Sequence, residues 1–190
     1  MAIGRDQTVL DIRPTPDLRL LLRAGITHHR AQHWREAEGC YAHVLRLDPD
    51  HPDANHLLGV LALELGDLDT AGALIARAIS ADGKQARFYT NLGRVYYARR
   101  EFDLAEASWE RALALNPRDA HAWSNLGHVH TIRGALAEAE RCYRRALAIE
   151  PDSQERRAVL AAAVSRRGGD NGLHGLLSSL GSDSTESGAA

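Results

Sequence analysis

A period of 34 residues runs through most of this 190-residue chain and limits its fold more than any other feature. Gly25, Gly59, Gly93 and Gly127 stand one period apart, as do Ala37, Ala71, Ala105 and Ala139. Counting each unit from Leu18, position 24 holds Tyr41, Ile75, Trp109 and Tyr143, and position 27 holds Val44, Ala78, Ala112 and Ala146. Leu47-Asp48-Pro49, Leu115-Asn116-Pro117 and Ile149-Glu150-Pro151 close three units, while Ala81-Asp82-Gly83 closes the other with Gly for Pro. Self-similarity at such a period marks stacked supersecondary units, each too small to bury its apolar face alone.

Within a unit the pattern is helical. Tyr89, Leu92 and Tyr96 lie at i, i+3 and i+7, one stripe of a helix. Small residues at Gly93 and Ala105 allow two antiparallel helices to approach, with Phe102 and Trp109 filling the space between them. Pro or Gly after Asp48, Asp82, Asn116 and Glu150 stops the second helix. Ala and Leu, 31 and 26 residues, make up about 30% of the chain, a composition that favours helix. All basic residues but Lys84 are Arg, which we read as the codon bias of a GC-rich, bacterial genome.

These units resemble tetratricopeptide (TPR) repeats. The third reads Tyr89-x-x-Leu92-Gly93-x-x-Tyr96, then Ala105, Trp109, Ala112 and Pro117. The fourth reads Trp123-x-x-Leu126-Gly127-x-x-His130, then Ala139, Tyr143, Ala146 and Pro151. The resemblance implies an all-α fold: a right-handed α-solenoid of four TPR helix-turn-helix units plus a C-terminal capping helix. The units fall within 16–151, in phase as 18–51, 52–85, 86–119 and 120–153. Ala24 in the first unit, and Asn55, Ala62 and Ile75 in the second, replace larger residues and are expected to weaken packing there.

Each end of such an array needs a cover. Thr15-Pro16-Asp17 reads as an N-cap followed by Pro in the first turn. Residues 153–167 read as a fifth first helix acting as a lid, capped by Asp152 with Glu155 three residues on, and presenting Arg156, Arg157, Arg166 and Arg167 to solvent. Segment 1–15 is unperiodic and expected to be flexible, as is the Gly/Ser-rich acidic tail 168–190. Leu173 to Leu180 form an apolar cluster in that tail, either tolerated leucines or a docking motif.

Other classes of function are excluded or disfavoured. A net charge of −2 argues against nucleic acid as a partner of the whole surface. Two cysteines, one period apart three times over, cannot staple a secreted scaffold or reach each other in a solenoid. Apolar runs are too short for membrane insertion, and residues 1–16 lack the apolar core of a secretory signal, so a cytoplasmic protein is expected. His29 and His33 share metal-ligand spacing, but nothing nearby completes a set, and no metal or other cofactor is expected. No phosphate loop or nucleophile motif appears, so we expect no catalytic residues and no enzyme.

What remains is a surface for a protein or peptide partner. In TPR arrays the first helices line a concave groove, and the resemblance carries this role to Arg87, Asn91, Arg94, His121, Asn125 and His128. Asn91 and Asn125 repeat just before Leu-Gly, as in the TPR arms of O-GlcNAc transferases, where an amide can clamp an extended backbone. Arg87 and Arg94 suit an acidic ligand or a free carboxylate. His56, His121 and His128 would make capture depend on pH. The carboxylate-clamp pattern of chaperone-binding TPRs is absent: its positions read His56, Val60, Asn91, His121 and Asn125. Alternatives to an adaptor are a self-assembling scaffold, a secretion-type chaperone, and an accessory subunit of a glycosyltransferase or sulfotransferase system.

Overall fold

A computed structural model describes residues 17–168. Segment 1–15 and all of the tail after Gly168, including its leucine cluster, lie outside the described residues. All regular structure among the described residues is helical, in nine helices. These are α1 Leu18–Arg30, α2 Trp34–Leu47, α3 Pro52–Glu64, α4 Leu68–Ala81, α5 Ala86–Ala98, α6 Phe102–Leu115, α7 Ala120–Ile132, α8 Leu136–Ile149 and α9 Gln154–Gly168. Each packs on the next, and α1, α3, α5 and α7 also touch one another in sequence, which makes the array an α-solenoid.

Helix starts follow from local chemistry. Asp17, Asp67 and Asp119 each accept backbone N–H bonds in the first turn of the helix that follows. The cap of α1 is therefore Asp17. At α9 it is Ser153 rather than Asp152, its Oγ accepting from Arg156 N at 3.3 Å. The turn from first to second helix is set by position 15, where Gln32, Gly66, Arg100 and Gly134 all take positive φ, from 59° to 85°. That left-handed geometry favours Gly and is occupied twice at a cost by a residue with a Cβ.

The glycine at position 8 is a packing requirement. A Cβ added at Gly25 or Gly127 would stand 2.5 Å from the ring of Tyr41 or Tyr143, and one at Gly59 would stand 2.8 Å from Ile75. The position-24 side chains are buried at 0–3% exposure, so the first helix must yield the space.

Position 4 behaves differently from its expected role as bulk. Tyr89 Oη donates to Gly83 O at 3.2 Å, Trp123 Nε1 to Pro117 O at 3.0 Å and Asn55 Nδ2 to Pro49 O at 3.0 Å. All three reach back six residues to the carbonyl of the preceding turn. Asn55, fully buried, thus supplies the donor that its aromatic counterparts supply, and the second unit keeps the tie that bulk alone would not explain.

Neighbouring units are fastened by an Arg at position 14. Arg99, the residue just after α5, pairs with Asp69 of α4 at 2.7 Å and caps Leu68 O. Arg133, the residue just after α7, pairs with Asp103 and Glu106 of α6, and Arg167 of α9 with Glu140 of α8 at 2.8 Å. At the corresponding place the second unit has Leu65, which is exposed.

Arg156 corrects the expected solvent face of α9. It is 7% exposed, held by Glu150 at 2.9 Å and by Ser124 Oγ at 2.8 Å. Its unit position is the one filled by Ala54, Phe88 and Ala122, all buried against the preceding repeat. A guanidinium that finds both a carboxylate and a hydroxyl can occupy that place. Arg157, Arg166 and Arg167 remain exposed.

Candidate functional site

Side chains of the first helices α5 and α7 line a cleft of about 500 Å³ in the third and fourth repeats. Arg87, Asn91, Arg94, His121 and Asn125 line it together with Thr90 and Asp119. His128 lines an adjoining cleft of about 280 Å³ with Leu63, Tyr97 and Trp109, and Arg94 and Asn125 belong to both. Toward the first repeat, Arg87 also borders a cleft of about 320 Å³ walled by Leu22, Ile26 and Leu57. Shared walls make these clefts one trough, apolar near α1 and α3, and rich in amide, imidazole and guanidinium groups near α5 and α7.

The six candidate residues differ in how free they are. Arg87 is engaged by Asp53 of α3 at 2.5 Å. Asn91 is doubly committed: its Nδ2 meets His56 Nε2 at 2.8 Å, and its Oδ1 accepts from Arg94 Nη1 at 2.9 Å. Among the described residues, the side chains of His121 and Asn125 make no hydrogen bond, so Asn125 offers both its donor and its acceptor to the cleft. His128 Nδ1 lies 3.2 Å from Tyr143 Oη, its ring edge-on to the phenol.

Asp119 lies outside the positions that the resemblance implies. Its carboxylate accepts from Thr90 Oγ1 at 2.7 Å and from the first N–H groups of α7. Being the residue just before a first helix is the sequence signal for it, since that places its side chain beside position 5 of the previous unit.

Burial pushes His56 down to about 4, with Arg87 adding to the effect, and burial also lowers His128. The expected pH dependence of capture therefore does not extend to these two histidines near neutral pH. Burial pushes the Cys142 thiol up to about 11, which suppresses its thiolate, and Cys142 is buried where Cys40 is half-buried. Among the described residues, no group of three or more His, Cys, Asp or Glu is placed to hold a metal ion. No described helix is long and apolar enough to cross a membrane.

Comparison with known proteins agrees with this architecture. The chain superimposes on the crystal structure of MamA with a TM-score of 0.71 at 22% identity, covering 88% of this chain and 92% of that one. It superimposes on PilF of Pseudomonas aeruginosa with a TM-score of 0.77 at 17% identity, covering 87% and 75%. An O-GlcNAc transferase of Thermobaculum terrenum aligns at 29% identity and a TM-score of 0.63, over 67% of this chain and 26% of that one. No curated protein matches the sequence. The tetratricopeptide repeat model matches residues 22–86 and 90–154, and the chain therefore belongs to the tetratricopeptide repeat family, whose fold mediates protein–protein interaction or scaffolding.

Proposed function

We propose that the trough holds an extended segment of a protein partner, making the chain a non-catalytic adaptor. An acidic or carboxylate-terminated stretch lies against the third and fourth repeats, and apolar side chains lie against the first two. The observation that carries this reading is the uncommitted amide of Asn125 beside Arg94 and His121 in the 500 Å³ cleft. An amide clamps backbone while a guanidinium recognises carboxylate. Leu22, Ile26 and Leu57 supply the apolar end.

The test is a panel of peptides displayed with free and with amidated C-termini, measured by fluorescence anisotropy. We expect acidic, free-carboxylate peptides with an apolar segment to bind best, and Asn125→Ala with Arg94→Ala to weaken them about tenfold or more, roughly 1.4 kcal/mol. Undiminished capture by the double variant would remove the groove reading.

A second reading, self-association, is favoured by one observation. Leu20 is 61% exposed at the position where Ala54, Phe88 and Ala122 are buried against a preceding repeat. Light scattering over a concentration series separates an array that stacks on its own end from a monomeric receptor.

A further inference from the structure

The turns that close the second helices change charge along the array. The first reads Asp48-Pro49-Asp50, the second Asp82-Gly83-Lys84, the third Asn116-Pro117-Arg118 and the fourth Glu150-Pro151-Asp152. Position 26 of the unit that follows each of the first three turns is an Arg: Arg77, Arg111 and Arg145. At the first junction Arg77 donates to Pro49 O at 2.8 Å and pairs with Asp50 at 3.5 Å, so acid and guanidinium neutralise each other. At the third junction the place of Asp50 is taken by Arg118. The place of Asp48 is taken by the neutral Asn116, whose Oδ1 accepts from Arg118 N at 3.1 Å.

Arg118 and Arg145 line a cleft of about 530 Å³ with Pro117, Trp123, Ala148 and Ile149, none of which borders the trough. The carbonyl that Arg77 uses at the first junction is occupied here, because Trp123 Nε1 donates to Pro117 O at 3.0 Å. Both guanidinia are exposed, and among the described residues neither side chain makes a hydrogen bond or an ion pair. The acids around them are committed elsewhere. Asp119 is bonded to Thr90 and to the start of α7, Glu150 is held by Arg156, and Glu138 by Arg141. Two like charges therefore flank an apolar floor, and an anion between them replaces their repulsion with charge-assisted hydrogen bonds.

We propose that this cleft is a second docking site, for an acidic protein segment that sets an apolar side chain against Pro117, Trp123 and Ile149 and carboxylates against Arg118 and Arg145. The occupant follows from the lining. A polynucleotide draws its affinity from a run of cations along its backbone. Here the run is interrupted on both sides: Asp82 shares the second turn with Lys84, and the fourth turn carries Glu150 and Asp152. A peptide needs only the two guanidinia and the apolar floor between them. The site is separate from the trough and does not depend on what the trough holds.

The experiment uses the full chain with Arg94→Ala and Asn125→Ala throughout, which weakens the trough. The probe is a fluorescein-labelled peptide in which Leu interrupts a run of Glu, with an amidated C-terminus, followed by anisotropy at low salt. We expect capture to persist in this background and to weaken about tenfold with Arg118→Asp, which restores the acid of the first junction, or with Arg145→Gln. Arg77→Gln, at the junction that is already neutralised, should leave it within about twofold. Melting temperatures of the Arg118 and Arg145 variants should not fall, since both side chains are exposed and unpaired, so lost capture is not lost fold. No capture by the parent, or equal capture by Arg118→Asp, would overturn the proposal. So would equal capture of a peptide with every Glu replaced by Gln, or displacement of the probe by an equimolar oligothymidylate, which would give the cleft to nucleic acid.

Discussion

Asn91 and His56 meet across the junction of the second and third repeats at 2.8 Å, and the bond requires a neutral imidazole. Arg94 takes the Asn91 oxygen, which leaves the amide N–H to point at His56 Nε2 as an acceptor. Protonating His56 would set N–H against N–H inside the groove wall.

Stability should therefore fall with acid in a defined window. His56 sits at about 4 when folded, against roughly 6.5 in an unfolded chain. Its folded value is the lower one, so its contribution is complete above pH ~6.5 and is lost as pH falls toward 4, to a total of about 3 kcal/mol. Urea midpoints between pH 7.5 and 4.5 check this, and His56→Gln should flatten the profile in that window.

The two groove asparagines should separate in their effects. Asn91→Ala leaves Arg94 and His56 without partners and should cost about 1 kcal/mol of stability. Asn125→Ala should leave the melting temperature unchanged and weaken peptide capture. Calorimetry beside anisotropy on both variants distinguishes the roles.

Turn position 15 offers a stabilising change. Arg100→Gly relieves a left-handed residue with a Cβ and should stabilise by about 1 kcal/mol, and Gly66→Ala should destabilise by a similar amount. Chemical denaturation of the two variants measures both signs.

Helical glycines should divide by what they face. Gly93→Ala drives a Cβ into the Trp109 indole and should cost about 1–3 kcal/mol. Gly39→Ala in α2 meets nothing within 4 Å and should stabilise by about 0.5–1 kcal/mol. Opposite shifts in melting temperature are the expected readout.

The fold was legible because its determinants recur: Gly25 with Tyr41 and Gly127 with Tyr143 state the same steric bargain in different repeats. The groove was less legible because its bonds cross between repeats. Asn91 and Asn125 hold one position, yet the neighbour that commits Asn91 is His56, while the equivalent neighbour of Asn125 is Thr90, already bonded to Asp119. Arg156 misleads for another reason. A pattern based on polarity assigns it to solvent, whereas its repeat position and its partners Glu150 and Ser124 place it inside.

The tie from Asn55, Tyr89 and Trp123 to the carbonyl six residues earlier has a consequence for neutral drift. A site that must present an N–H or O–H at a given point, and is indifferent to what carries it, lets amide, phenol and indole replace one another without loosening the loop. Related arrays can then diverge at this position beyond the reach of size-based similarity while each generation keeps the same knot.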